Sequence, residues 1–170
     1  MLSRVADAIY WMSRYVERAE NLARFVDVTL NMMLDLPEGM REQWMPLIYT
    51  TGDHETFTER YGAPTQDNVV RFLAFDRQNP NSILSCLYAA RENARSVRDT
   101  ISSEMWEELN TFYYMVKDAA DNRDSTESAP DFFHDVKMGS HLFKGITDNT
   151  MSHNEGWHFA QLGRLLERAD

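Results

Sequence analysis

The first 36 residues carry an apolar pattern that a single long helix satisfies. Apolar side chains recur at intervals dominated by three and four residues, which places them on one helical face. They are Val5, Ile9, Met12, Val16, Ala19, Val26, Leu30 and Met33. Ser3 is the predicted N-cap, and the segment 36–39, Leu-Pro-Glu-Gly, is expected to end the helix. About thirty helical residues is long for a globular protein, which favours a bundle whose helices span the domain.

Two further amphipathic stretches extend the helical pattern. Residues 83–101 and 106–120 repeat apolar side chains at the same spacing. Ser82 is the predicted cap of the first stretch, and Ser102 or Ser103 that of the second. The two stretches therefore predict a helical hairpin with a short connection.

The remaining segments predict shorter elements. We expect short helices around residues 44–48 and 69–73, and an exposed polar loop over 121–130. Another helix should start at Pro130, with Gly139 and Gly145 as weak points where it could bend or stop. The following segment, 146–157, is predicted to be a turn rich in capping residues, and the last helix to begin near Trp157.

Composition supports an all-α, antiparallel helical bundle formed by residues 1–170 as a single domain. The 7 glycines and 5 prolines are too few for a turn-rich β architecture, and 43% of residues are apolar. A net charge of −10 argues against nucleic-acid binding, and no run of 18 apolar residues predicts a membrane span. The single Cys86 allows no internal disulfide. These features predict a cytoplasmic protein.

One charged motif occurs twice, as RYVERAEN at 14–21 and as GRLLERAD at 163–170. Its charged positions are Arg14, Glu17 and Arg18 in the first copy, matched by Arg164, Glu167 and Arg168 in the second. Residues three and four apart share a helical face, so each copy presents one carboxylate between two guanidinium groups. One hypothesis is that the copies form ion pairs between helices and fix their register. The other is that some arginines stay partly free and bind an anionic ligand or partner.

The predicted hairpin carries further charges. Arg91, Arg95 and Arg98 follow one another at helical spacing, and Glu104 opens the next helix. A solvated charged face is the ordinary meaning of such a series. The alternative is that this arginine ladder meets the carboxylates of the repeated motif inside the bundle.

A metal site is the catalytic hypothesis. Helical carboxylate-bridged sites use Glu-x-x-His, because that spacing aims both ligands to one side. Glu155 and His158 fit this spacing, Asp131 and His134 form a looser version, and His153 lies nearby. Capping acids and surface histidines are the competing interpretation.

Three blocks of the chain together resemble the Alpha-E family, a bacterial all-α family named for a Glu-Arg motif. The blocks are LSRVADAIYWMSRYVERAENLARFVDV, ARENARSVRDTISSEMWEELN and FKGITDNTMSHNEGWHFAQLGRLLERAD. The motif positions that match are Glu17, Arg18, Glu167 and Arg168. Family members run beyond a second Glu-Arg motif, so the resemblance implies the N-terminal part of a longer domain, truncated at its C-terminus.

The resemblance implies a biological context and supplies no catalytic residues. Alpha-E proteins are associated with ATP-grasp ligases and transglutaminase-like proteins. We therefore expect an accessory helical module that acts with an ATP-grasp-type amide-bond ligase in peptide synthesis or modification, without a cofactor. A protein partner or a homodimer is expected, since a truncated bundle would expose apolar surface. The alternative is a metal-dependent or acid–base enzyme in the same pathway, using a carboxylate and histidine site.

Overall fold

A computed structural model describes residues 1–40, 43–122 and 129–170. Over these residues the chain forms eight α-helices and no strand, which confirms the all-α prediction. The helices are α1 (Ser3–Leu34), α2 (Met45–Thr51), α3 (His54–Tyr61), α4 (Gln66–Val70), α5 (Ile83–Ser96), α6 (Ser103–Asp121), α7 (Ala129–Thr150) and α8 (Glu155–Ala169). A 3₁₀ turn covers Glu38–Met40, and a π-helical turn covers Arg71–Phe75.

Serine caps start the two helices of the hairpin, as predicted. The Ser82 hydroxyl accepts a hydrogen bond from the Ser85 amide at 3.1 Å, and Ser102 accepts one from Met105 at 3.1 Å. The predicted cap of α1 is wrong. Ser3 is already helical, and Leu2 takes the N-cap position without a side-chain bond.

Helix α7 is continuous through both glycines that were weak points in the sequence. A side chain at Gly139 would lie 2.8 Å from the Phe112 ring, so this glycine lets α6 and α7 pack closely. The helix also runs on to Thr150, through residues 146–150 that were predicted as a turn. The predicted loop over 121–130 falls partly on 123–128, which lie outside the described residues. Asp121 ends α6, and Pro130 lies in the first turn of α7.

The long helix α1 lies at the centre of the bundle and contacts α5, α7 and α8. Arg18, in the middle of α1, bonds to Asn81, which lies just before the start of α5. The N-terminal end of α1 instead lines a surface pocket with Asp99, which follows the C-terminal end of α5. Helices α1 and α5 therefore run antiparallel. Ion pairs from Glu17 to Lys144 and from Asp27 to Lys137 show the same for α1 and α7.

Helices α1 and α8 are the exception, because they run parallel. The N-terminal amine of Met1 pairs with Glu155 at 2.9 Å, and Arg14 pairs with Glu167 at 2.6 Å. Both pairs advance along the two helices in the same direction. The two copies of the repeated motif therefore lie side by side.

The apolar stripe of α1 forms the middle of the core. Its side chains at Ile9, Met12, Val16, Ala19, Ala23 and Val26 are buried, as the helical spacing predicts. Glu17 and Glu20 are buried on the same helix. No helix in the described ranges is both long and apolar enough to span a bilayer.

Candidate functional site

The candidate site is the contact between the two Glu-Arg copies on α1 and α8. Gly163, which opens the second copy, lets the helices approach closely. A Cβ atom at this position would overlap the Tyr10 carbonyl group and lie 3.1 Å from its carbon. Glycine therefore sets the distance at which the charged side chains meet.

Glu167 of the second copy binds both arginines of the first. Its carboxylate accepts a hydrogen bond from the Nε of Arg14 at 2.6 Å. It accepts two more from the Nε and Nη2 of Arg18, at 2.6 and 3.1 Å. The Glu167 side chain is 8% exposed. The paired geometry with Arg18 is the bidentate form that guanidinium and carboxylate groups favour.

Each of the two arginines also has other partners. Arg14 donates to the Tyr10 hydroxyl at 2.9 Å and to the Asp170 carboxylate, and Arg18 donates to Asn81 at 3.1 Å. Hydrogen bonding to Glu167 raises the pKa of Arg18 above its usual value, against the opposing effect of burial. For Arg14 burial lowers the pKa, but the bonds to Tyr10 and Glu167 outweigh it and raise the value. Both arginines are therefore firmly charged.

Glu17 of the first copy makes the reciprocal pair. Its fully buried carboxylate receives the Nε of Arg168 at 2.9 Å. This bond is the main cause of the raised pKa of Arg168. The Nζ of Lys144 on α7 lies 2.8 Å from the second oxygen of Glu17 as an ion pair.

The two copies pair symmetrically through their glutamates and their second arginines, but not through their first arginines. The Arg18–Glu167 pair is matched by the pair of Glu17 with Arg168. By the same relation Arg164, the counterpart of Arg14, would bind Glu17. Lys144 takes that place instead.

Arg164 bonds to a neutral side chain in its own helix. Its Nε donates a hydrogen bond to the Gln161 side-chain oxygen at 3.1 Å, and its Nη2 donates a second bond to the same oxygen. The structure thus places all six motif residues in or beside one layer, but five of them form ion pairs across the α1–α8 contact and Arg164 does not.

Glu20 is a member of the layer that the sequence reasoning missed. It is 1% exposed and binds Ser140 at 2.7 Å, Arg24 at 2.6 Å, His141 at 3.3 Å and Lys144. A usable signal was present, because Glu20 follows Val16 by four residues and so continues the apolar stripe of α1. An acid at such a position needs buried partners.

Lys144 connects the two buried carboxylates of α1. It pairs with both Glu17 and Glu20. Burial would raise the pKa of Glu20, but the bonds from Lys144, Ser140 and Arg24 lower it to about 2. Glu20 is consequently an ionised acceptor at neutral pH and is unsuited to take up a proton as a general base.

The arginine ladder of the hairpin lies elsewhere. Arg91 donates to Asn110 at 2.6 Å, and its guanidinium lies 5.3 to 5.7 Å from the centroids of three aromatic rings on α6: Trp106, Tyr113 and Tyr114. Arg95 pairs with Glu92 at 2.6 Å, and Glu104 is exposed in the first turn of α6. The structure does not bring these side chains to Glu17 or Glu167. The ladder has its own acidic and aromatic partners, so it does not need the motif carboxylates.

The candidate metal ligands are dispersed at helix ends. Glu155 pairs with the N-terminus, His153 stacks on Trp157 with centroids 4.2 Å apart, and His158 is exposed. Asp131 and His134 are exposed near the start of α7. In the described part of the chain no three His, Cys, Asp or Glu side chains come together as a possible metal site.

Comparisons with known proteins identify relatives of the whole chain. The family model of Alpha-E, described as a predicted alpha-helical domain with a conserved ER motif, matches residues 1–170. An uncharacterised protein of Mycobacterium bovis and one of Mycobacterium tuberculosis are each 25% identical to this chain over 184 residues. Each match covers 97% of the chain and 21% of the relative, so the chain spans about a fifth of the length of these relatives. No solved structure matches significantly.

Proposed function

The chain belongs to the Alpha-E family, and we propose that it is an accessory helical module that acts with an ATP-grasp-type amide-bond ligase in peptide synthesis or modification. In this proposal the repeated Glu-Arg motif joins α8 to α1 and so fixes the shape of the module. The chemical step belongs to the ligase. The ligase partnership is what the family resemblance implies.

The observation that carries the accessory role is the reciprocal use of the motif charges. Glu167 binds two arginines of α1, and Glu17 binds Arg168 of α8 and Lys144 of α7. Each of these carboxylates is held between two cations, which fixes its position between the helices. Ion pairs with fixed geometry between helices are suited to setting register.

The opposite side of α8 offers a surface for the partner. Its apolar side chains at Phe159, Leu162, Leu165 and Leu166 are 37%, 47%, 53% and 42% exposed. They lie at positions 159–166 of α8. Leu162 and Leu165 face away from Gly163 and Glu167, and Phe159 and Leu166 lie between that side and the contact with α1. Exposed apolar side chains grouped on one surface mark an interaction site.

Binding of the two purified proteins tests this proposal. The ATP-grasp-type protein of the same organism would be mixed with the module, and the complex measured by sedimentation velocity and light scattering at micromolar concentrations. We expect a complex that is weakened by the double variant Leu162→Glu and Leu165→Glu. The matched control is Met32→Glu, at a residue that is 61% exposed near the far end of α1.

Two outcomes would contradict the proposal. One is the absence of a complex between the two folded wild-type proteins. The other is turnover of a peptide or amino-acid substrate by the module alone, at a rate lost on changing Glu17 or Glu167. Light scattering of the module alone shows in the same experiment whether it forms the expected homodimer.

A further inference from the structure

A small cleft opens beside the charged layer, between α1, α7 and α8. Its walls combine apolar side chains with the polar groups of Ser13, Lys144, Asp148 and Arg164. Its space is about 310 Å³ when the open solvent at its mouth is counted, and the enclosed part is about 20 Å³. The enclosed part therefore holds about one water molecule, and a ligand would lie across the mouth of the cleft.

Arg164 brings an uncompensated positive charge to this cleft. Its counterpart Arg14 binds the carboxylates of Glu167 and Asp170, whereas Arg164 bonds to the neutral Gln161. Over the residues that the structure describes, Arg164 has no acidic partner. Lys144 adds no free charge, because it is already shared by two buried carboxylates.

Asp148 adds an exposed carboxylate to the same cleft. Its Oδ1 atom accepts hydrogen bonds from the Trp157 indole at 3.1 Å and from the Gln161 amide at 2.8 Å. Within the described ranges no Lys, Arg or His pairs with this carboxylate. Gln161 touches both charged groups, so they stand on either side of one side chain.

Ser13 supplies a third polar group with no partner. It is 8% exposed, lines the cleft, and its hydroxyl makes no hydrogen bond with any residue the structure describes. A serine hydroxyl inside a helix either faces solvent or bonds to the carbonyl four residues earlier. Thr147, on the facing helix, does so with Phe143 at 2.8 Å. The Ser13 hydroxyl is thus left available to a ligand.

We infer that this cleft binds the head group of a free α-amino acid. The carboxylate would accept hydrogen bonds from Arg164 and Ser13, and the ammonium group would donate to Asp148. The apolar walls at Val16, Phe143 and Ala160 would contact the ligand between these two ends. A zwitterion matches one free cation and one free anion better than a simple anion does, because a simple anion leaves Asp148 uncompensated. The site does not depend on a ligase partner.

The indole N–H of Trp157 provides a local reporter. Because it donates to Asp148, a ligand that binds this carboxylate will move its NMR signal. Titrations with L-alanine, L-glutamate and L-lysine would be compared with acetate and methylamine, which each carry half of the head group. We expect a saturable shift with at least one amino acid at millimolar concentration, and at least about tenfold weaker binding of acetate and methylamine.

Two variants test whether the ligand binds at this cleft, and a third controls for the loss of a positive charge elsewhere on the surface. Arg164→Gln and Asp148→Asn should each weaken amino-acid binding at least about tenfold. Arg71→Gln, at an exposed arginine that pairs with Asp67 away from the cleft, should leave binding unchanged. Circular dichroism establishes folding, and Asp148→Asn still tests the site if Arg164→Gln fails to fold.

The inference is overturned if no amino acid gives a saturable shift with the folded wild-type protein. Equal binding of acetate and the best amino acid would also overturn it, since the cleft would then be a plain anion site. Binding that persists unchanged in both variants would place the ligand elsewhere.

Discussion

Replacing Glu167 by glutamine removes the carboxylate that joins the two copies of the motif. Glutamine keeps the size of the side chain but leaves Arg14 and Arg18 facing a neutral amide. The two arginine side chains are 15% and 25% exposed, so water compensates them only in part. Breaking one partner of a buried ion pair costs about 3–5 kcal/mol. Partial exposure and the second acid on Arg14 favour the lower end, about 3 kcal/mol.

Urea denaturation measures this loss directly. For a chain of this size a slope of about 2 kcal/mol per molar urea converts 3 kcal/mol into a midpoint lower by about 1.5 M. Glu107→Gln is the matched control, because Glu107 is exposed on α6, and it should change stability by less than about 0.5 kcal/mol. A loss below about 1 kcal/mol for Glu167→Gln would refute the reasoning, since that is the value of a surface ion pair.

Three further predictions concern packing, pH and the thiol. Gly163→Ala should destabilise the fold by about 1–3 kcal/mol or more in urea, because its methyl group would overlap the Tyr10 carbonyl, whereas Gly145→Ala, with open space around it in α7, should stabilise it slightly. Glu20 has a folded-state pKa of about 2, below its ordinary 4.5, so its stabilising contribution is complete above pH 4.5 and is lost as the pH falls towards 2. Glu20→Gln should therefore flatten the acid limb of stability measured between these values; an unchanged limb would count against the assignment. Burial raises the pKa of Cys86 to about 12, so a thiol reagent should react at pH 8 at the rate of global unfolding, and fast reaction of the native protein would contradict its buried position.

The sequence predicted the elements whose signals are local. The apolar spacing of α1 predicts a helix from a few neighbouring residues, and the serines before α5 and α6 predict where those helices begin. The structure agrees with both predictions. Helix α3 was missed, because only Phe57 of its eight residues is buried and so gives no apolar stripe. The length of α7 was underestimated, because the close packing of Gly139 against Phe112 is a tertiary effect that overrides the low helix propensity of glycine.

The sequence predicted which charged residues of the motif share a helical face, but not which residues they contact. The spacing of the motif identified Glu17, Glu167 and their arginines, but spacing within one helix contains no information on the partner helix. The parallel pairing of α1 with α8 depends on the close contact at Gly163, and the role of Lys144 depends on α7. Glu20 was missed because the partners that allow its burial, Lys144 and Ser140, lie on α7 and leave no signal in the spacing of α1.

A double-mutant cycle between Arg18 and Glu167 tests the central claim most directly. Arg18→Gln, Glu167→Gln and the double variant would be compared with the wild type by urea denaturation, with the slope checked for each. The reciprocal pairing predicts that the double variant loses less stability than the sum of the single variants, with a coupling of at least about 1 kcal/mol. Additive losses, to within about 0.5 kcal/mol, would contradict the claim that the Arg18–Glu167 pair helps to hold α1 and α8 together.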